Sequence, residues 1–225
     1  MDRKGYLDGH ASIAGSALLS WGIATGARYV AGTPYADVFL DNVNRAFAGQ
    51  YEDIRIRGRA DADRRRSDAD KNRAFVAAIA GFCAAAHEPD DRLIRCAEAM
   101  LAPFQVLDDL EDLEEDFKEN NITDFVRIVR ECVSAATPPN RTEMYRAIMK
   151  DPRMTSTLFR AQDGAEKALL ILNPDRDREL IGYICDFRER NAVLIRVLND
   201  YQRDPSPIME PEVMRRIEQV ATGCG

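Results

Sequence analysis

Apolar side chains recur along most of this chain at intervals of three and four residues, and alternating β-branched runs are scarce. The first spacing is typical of amphipathic helices, whereas strict alternation would indicate strands. The sequence therefore predicts an all-α fold, divided by proline and glycine residues. We expect helices at 11–30, 35–59, 75–86, 122–133, 141–150, 154–172, 176–202 and 211–221, and one more from Asp90 and Asp91 into the acidic segment 104–116.

Three segments carry further expectations about their environment. Residues 11–30, "ASIAGSALLSWGIATGARYV", are mostly apolar with several small side chains, which predicts a helix buried on most sides. Residues 75–86, "FVAAIAGFCAAA", predict a second buried helix. Residues 55–71 carry charges of both signs and little to bury, so we expect a solvated helix end and loop there.

Bulk composition narrows the class of protein. A chain of 225 residues with 45% hydrophobic residues favours one domain, 1–225, with one core. A formal charge of -7 argues against general affinity for nucleic acid or an anionic membrane. Five cysteines, an odd number without a C-x-x-C pair, predict a reducing, cytoplasmic location. No apolar run approaches the roughly 20 residues that span a bilayer, and the first residues lead into no signal-peptide core.

The segment 104–116, "FQVLDDLEDLEED", combines many carboxylates with large apolar side chains. On a helix, Asp109 and Asp112 are three residues apart and Asp108 and Asp112 four apart, so the three carboxylates are expected to converge. Their repulsion favours a hard cation such as Mg²⁺, which completes its shell with water and substrate phosphates. A solvated helix face is the alternative interpretation. The interleaved apolar residues favour burial of one side of the helix.

A second amide and carboxylate pair lies upstream. Gln50 and Asp53 follow the apolar part of the 35–59 segment and are three residues apart, again on one helical face. Together with the acidic segment, this pair predicts a site for a phosphate-bearing ligand and its metal ion.

These motifs resemble those of the trans-isoprenyl diphosphate synthases, a family of class I isoprenoid synthases. The run 104–112, "FQVLDDLED", is similar to the second aspartate-rich motif, F-Q-x-x-D-D-x-x-D. The run 49–53, "GQYED", resembles the family's G-Q-x-x-D, and 11–19, "ASIAGSALL", resembles its A-I-x-A-G-D-x-L helix. The order is also the family's, and the register from Asp53 places Arg73 about where the family has a phosphate-binding lysine. The likeness spans roughly residues 10–125.

The resemblance implies a helical bundle around a central cavity that holds Mg²⁺ and a prenyl diphosphate. In that family the allylic diphosphate ionises, the metal stabilises the leaving group, and isopentenyl diphosphate attacks the cation. Apolar walls such as the helix around Phe75 to Phe82 would exclude water. A homodimer through helices near Trp21 and Phe39, or a heteromer with a related subunit, is expected on the same ground. The implied metal ligands are Asp108, Asp109 and Asp112, and the implied substrate contacts are Gln50, Asp53, Arg73 and Gln105.

The chain also departs from the family pattern. No first aspartate-rich motif precedes residues 11–19, so the expected bundle is short at its N-terminal side. Ser16 replaces an aspartate, and Asn121 and Arg73 replace lysines, which changes the charge offered to a phosphate. Three hypotheses stay open: a prenyltransferase or part of one, a class I terpene cyclase on the same bundle, and a non-catalytic subunit that pairs with an active partner.

Overall fold

A computed structural model of the chain describes residues 18–56, 70, 72–86, 91–133 and 138–221. These residues form helices, turns and loops without a strand, which confirms the predicted all-α class. No helix within the described ranges has the length and apolar character needed to cross a membrane. The helices are α1 (18–30), α2 (Ala36–Ile56), α3 (Arg73–Ala85), α4 (Asp91–Ala99), α5 (Leu101–Glu111), α6 (Leu113–Glu119), α7 (Asp124–Cys132), α8 (Arg141–Lys150), α9 (Pro152–Ile171), α10 (Arg178–Arg203) and α11 (Glu210–Ala221).

Side-chain caps fix several helix starts where the sequence predicts them. Thr123 accepts a hydrogen bond from the Val126 backbone N–H at the start of α7. Asn140 and Glu143 form a reciprocal capping box at the start of α8. Asp151 caps α9, and Pro152 follows at a position where its missing N–H is not required. The three helices therefore begin within two residues of their predicted starts.

The larger hydrophobic cluster joins α4 to α11 and is centred on α9 and α10. Gly164 of α9 shows how closely these helices approach. A Cβ at this position would lie 2.6 Å from the Ala99 carbonyl oxygen and 2.8 Å from Pro103 Cδ. Only glycine therefore lets α9 pack on the junction of α4 and α5 without displacement.

A smaller cluster joins α1, α2 and α3 to the start of α4 and α5. Phe39 of α2 packs beneath Gly26 of α1, and Leu93 contacts both clusters. The expectation that 11–30 is buried on most sides is wrong for its described part, because most large side chains of α1 are exposed and Trp21 is 70% exposed. The helix predicted at 75–86 is buried on one face only, and Phe82 lies on the other.

The helix expected to run from Asp90 and Asp91 through the acidic segment is divided into α4, α5 and α6 at Met100 and Asp112. Pro103 accounts for the first division because it has no N–H to donate to the Ala99 carbonyl. Backbone hydrogen bonds continue across both junctions, from Phe104 N to Met100 O and from Asp112 N to Asp108 O. The junctions are therefore kinks rather than loops, and the second one lies within the acidic motif.

Candidate functional site

A polar cavity of about 330 Å³ lies where α3, α4, α5, α7 and α9 meet. Three residues predicted from the sequence, Arg73, Gln105 and Asp109, line it together. Arg73 lies on α3, and Gln105 and Asp109 lie on α5. Its other polar lining residues are Glu98, Asp124, Thr157 and Arg160.

Gln105 connects α3 to the acidic helix. Its Oε1 accepts a hydrogen bond from Asn72 Nδ2 at 2.7 Å, and its Nε2 donates to Asp109 Oδ1 at 2.5 Å. Asp109 is only 7% exposed, and a buried carboxylate requires such donors to offset the loss of hydration. The amide therefore fixes the orientation of this carboxylate at the cavity wall.

Arg73 is a half-buried cation at the start of α3. Its Nη1 donates to Glu98 Oε1 at 2.7 Å and to Asn42 Oδ1 at 3.3 Å, and its Nε lies 3.9 Å from Asp70 Oδ1. Within the described residues, Nε is buried and makes no hydrogen bond. A guanidinium at a cavity wall is suited to an oxyanion.

The three aspartates predicted as metal ligands do not converge. Asp109 is buried at the cavity, whereas Asp108 and Asp112 are exposed and absent from its lining. Asp112 is also the kink residue between α5 and α6. Within the ranges that the structure describes, no group of three or more His, Cys, Asp or Glu side chains could hold a metal. The expected convergence is therefore wrong, and Mg²⁺ binding stays a prediction.

The residues that line this cavity suit a metal ion that binds together with its phosphate ligand better than a metal ion that binds to the protein alone. Mg²⁺ is commonly held through one or two carboxylates plus substrate phosphates. Asp109 supplies one buried carboxylate at the cavity, and Asp124 lines the same cavity. A diphosphate and water would have to provide the remaining oxygen ligands.

A separate apolar cavity of about 470 Å³ lies between α1, α2 and α3. Gln50 lies on its wall and is the polar member of a lining that is otherwise apolar. Asp53 lies one turn further along α2, and its side chain is outside the described part of the chain. Arg73 and Ala74, adjacent at the start of α3, line the polar and the apolar cavity respectively.

The walls of the apolar cavity differ in part from the expectation. Alanines of α3, Ala74, Ala77 and Ala78, line it rather than the phenylalanines. Phe75 instead contacts Phe104 edge to face, with ring centroids 4.9 Å apart, and so joins α3 to α5. Phe39 and Phe47 of α2 supply the aromatic surface of the cavity.

Sequence reasoning missed the contribution of α9. Arg160 lines the polar cavity and donates to Asp124 Oδ2 at 2.9 Å, so Asp124 is ion-paired. Arg160 lies beyond the resemblance, and no local pattern marks it. Asn121, which stands where the family has a lysine, is buried and donates to Asp116 Oδ1 at 2.5 Å. It therefore closes the loop between α6 and α7.

Comparison of this chain with protein-family models, with curated proteins and with solved structures found no match. The candidate site therefore rests on the residues and geometry described above.

Proposed function

We propose that the chain is a Mg²⁺-dependent prenyltransferase of the isoprenyl diphosphate synthase type, acting on allylic prenyl diphosphates. One observation carries the proposal: Arg73, Gln105 and Asp109 line one polar cavity, and the apolar cavity begins at the next residue of α3. A prenyl diphosphate has a highly charged head and a long hydrocarbon tail. The two neighbouring cavities suit these two parts.

Each lining residue has a role in this proposal. Arg73 donates charge-assisted hydrogen bonds to diphosphate oxygens. The Arg73 guanidinium is then shared between the diphosphate and Glu98, whose side chain is 45% exposed. Gln105 holds Asp109 in place, and Asp109 would hold the Mg²⁺ that a diphosphate ligand brings. The bound metal supplies stabilisation of the negative charge on the leaving diphosphate. The hydrocarbon chain lies against the alanine face of α3, and Gln50 contacts the ligand from α2.

Binding to the purified full chain tests this assignment. Titration of farnesyl diphosphate with Mg²⁺ is expected to show binding that Arg73→Gln and Asp109→Asn each weaken at least about tenfold, the loss of one charge-assisted contact. Glu111→Gln is the matched control, since it removes an exposed carboxylate from the same helix. Absence of binding, or equal binding by Asp109→Asn and wild type, would overturn the proposal.

Product analysis separates the three hypotheses. The chain is incubated with farnesyl and isopentenyl diphosphates, and the products are dephosphorylated and extracted. A longer prenyl alcohol supports the prenyltransferase, and a cyclic hydrocarbon supports the terpene cyclase. Intact ligand binding without either product supports the non-catalytic subunit.

The exposed face of α1 favours the subunit as a second candidate. Trp21, Leu18 and Tyr29 are all more than half exposed, and large apolar side chains concentrated on one helix suit a partner surface. A homodimer, or a heteromer with a related chain, is part of the proposal. Phe39, expected in that surface, is buried under α1 and would not contribute. Light scattering is expected to show a dimer that Trp21→Asp dissociates. A monomeric wild-type chain would contradict the homodimer.

A cytoplasmic location is also proposed, with the odd cysteine count as its support.

A further inference from the structure

Asn72 immediately precedes α3, but its side chain does not cap that helix. An asparagine at a helix start commonly accepts a hydrogen bond from a backbone N–H two or three residues later. Asn72 instead has φ -81° and ψ 0°, and within the described part of α3 its side chain makes no capping hydrogen bond. Its Nδ2 donates to Gln105 Oε1 of α5 at 2.7 Å. The amide of Asn72 therefore serves a contact between two helices.

The amide of Gln105 has a defined direction. Its Nε2 donates to Asp109 Oδ1 at 2.5 Å, and a carboxylate can only accept hydrogen bonds. The NH₂ group of Gln105 must therefore face Asp109, and its carbonyl oxygen must face Asn72. That oxygen needs a donor, and the NH₂ group of Asn72 supplies it. The three side chains thus form a hydrogen-bond chain that runs in one direction, from the start of α3 to the buried Asp109.

Asn72 reaches the polar cavity without lining it. Gln105 and Asp109 line this cavity, and so does Arg73, the residue that follows Asn72. Asn72 itself is not one of the residues that line the cavity. The start of α3 therefore supplies one residue that can contact an anion directly and one that acts through Gln105.

We propose that Asn72 is a positioning residue of the diphosphate site. It fixes the direction of the Gln105 amide and thereby the orientation of the Asp109 carboxylate. This inference rests on the proposed function, because the site it concerns is the one proposed to hold diphosphate and Mg²⁺. Without the Asn72 donor, the Gln105 amide is free to turn its oxygen toward Asp109, and two acceptors repel each other. With an acceptor in place of that donor, the NH₂ group of Gln105 can face only one of two acceptors.

Two substitutions of Asn72 separate positioning from helix stability. Farnesyl diphosphate is titrated calorimetrically into the full chain at a fixed, saturating concentration of Mg²⁺. Asn72→Ala is expected to weaken binding roughly threefold to tenfold, the loss of one neutral hydrogen bond. Asn72→Asp is expected to weaken binding further, although a carboxylate at a helix start stabilises the helix. A residue that served only the helix would give the opposite order of affinities.

The added charge of Asn72→Asp requires a control. In a Gln105→Ala background, both substitutions of Asn72 should have little further effect, because their influence passes through the missing amide. Direct repulsion between the new carboxylate and the ligand would persist in that background.

A matched asparagine controls for helix capping. Asn140 does cap its helix, α8, by accepting from the Glu143 backbone N–H at 3.0 Å. Asn140→Ala should therefore lower the thermal midpoint but leave the affinity for farnesyl diphosphate unchanged. Circular dichroism verifies that each variant is folded.

Asp109→Asn, measured in the same series, separates failure of this inference from failure of the proposed function. If Asp109→Asn weakens binding but folded Asn72→Ala binds as tightly as wild type, the positioning role is wrong and the diphosphate site stands. The positioning role is also wrong if Asn72→Asp binds at least as tightly as Asn72→Ala, or if both substitutions cost the same affinity with and without Gln105. If wild type does not bind, or Asp109→Asn binds equally well, the proposed function fails and this inference fails with it.

Discussion

Gln105 donates a hydrogen bond from Nε2 to Asp109 Oδ1 at 2.5 Å, one turn apart on the same helix. Because Gln105 also accepts from Asn72, the amide couples the only buried aspartate of the acidic segment to the start of α3. The acidic motif therefore presents one buried and oriented carboxylate, whereas Asp108 and Asp112 are exposed to solvent.

The pairing of Gln105 with Asp109 predicts a non-additive effect on stability. Gln105→Ala removes a donor to a buried carboxylate, so we expect a loss of about 1–3 kcal/mol in the free energy of unfolding. In the double variant with Asp109→Asn, the loss should be smaller than the sum of the single losses. Urea unfolding of wild type, the two single variants and the double variant measures the free energy of unfolding of each. Strictly additive losses would show that the hydrogen bond does not couple the two residues.

The separation of the three aspartates predicts how Mg²⁺ binds. We expect weak binding of Mg²⁺ alone and much tighter binding with pyrophosphate present, because the protein offers few carboxylate ligands and the phosphate oxygens must add to them. Calorimetric titration with and without pyrophosphate, each corrected by the same titration in the absence of protein, measures the difference. Asp109→Asn should remove the enhancement, whereas Glu111→Gln should retain it. Tight Mg²⁺ binding without pyrophosphate would point to a preformed site instead.

Asp151 and Arg153 predict a pH-dependent contribution to stability. The hydrogen bond from Arg153 holds the pKa of the Asp151 carboxyl below its ordinary value. A lowered folded-state pKa stabilises the fold above the unfolded pKa, about 3.9, and this contribution is lost as pH falls through the folded value. Arg153→Gln should therefore cost about 1 kcal/mol or less at pH 7, since Arg153 is 46% exposed.

Urea unfolding of Arg153→Gln and wild type at pH 7 and at successively lower pH tests this relationship. The difference in unfolding free energy should shrink below about pH 4. Lys167→Gln is the control, because its ion pair with Asp163 is largely solvated and its removal should have little effect. A difference that does not change with pH would exclude Asp151 as its source.

Two glycines in helices predict opposite effects of alanine. Gly164→Ala would place a Cβ against the Ala99 carbonyl and Pro103, so we expect destabilisation of about 1–3 kcal/mol. Gly182→Ala, in α10, meets nothing within 4 Å and should stabilise the protein by up to about 1 kcal/mol. Thermal and urea unfolding of both variants measure the contrast. Equal effects would show that α9 adjusts its position at little cost.

The helices were predictable because apolar periodicity and capping residues are local signals. Asn140 and the proline after Asp151 mark helix starts with no need of tertiary information. The burial of Asp109 could also be predicted from the sequence. Asp109 lies three residues after Val106 and beside Leu110 on the apolar stripe of the helix, whereas Asp108 lies off that stripe.

Other features depend on contacts between distant segments and were not predictable. Arg160 lines the polar cavity from α9, and Gly164 allows the close packing of α9 on the α4–α5 junction. The exposure of α1 likewise depends on what packs against it, which composition does not specify. Its apolar sequence predicts a buried surface but does not identify the partner.

Arg160 belongs to the wall of the polar cavity and is also ion-paired with Asp124 of α7 at 2.9 Å. A guanidinium that turns toward an anion in this cavity is drawn away from that carboxylate. Anion binding and the Arg160–Asp124 contact should thus oppose each other, and thermodynamic reciprocity requires the antagonism to be equal in both directions.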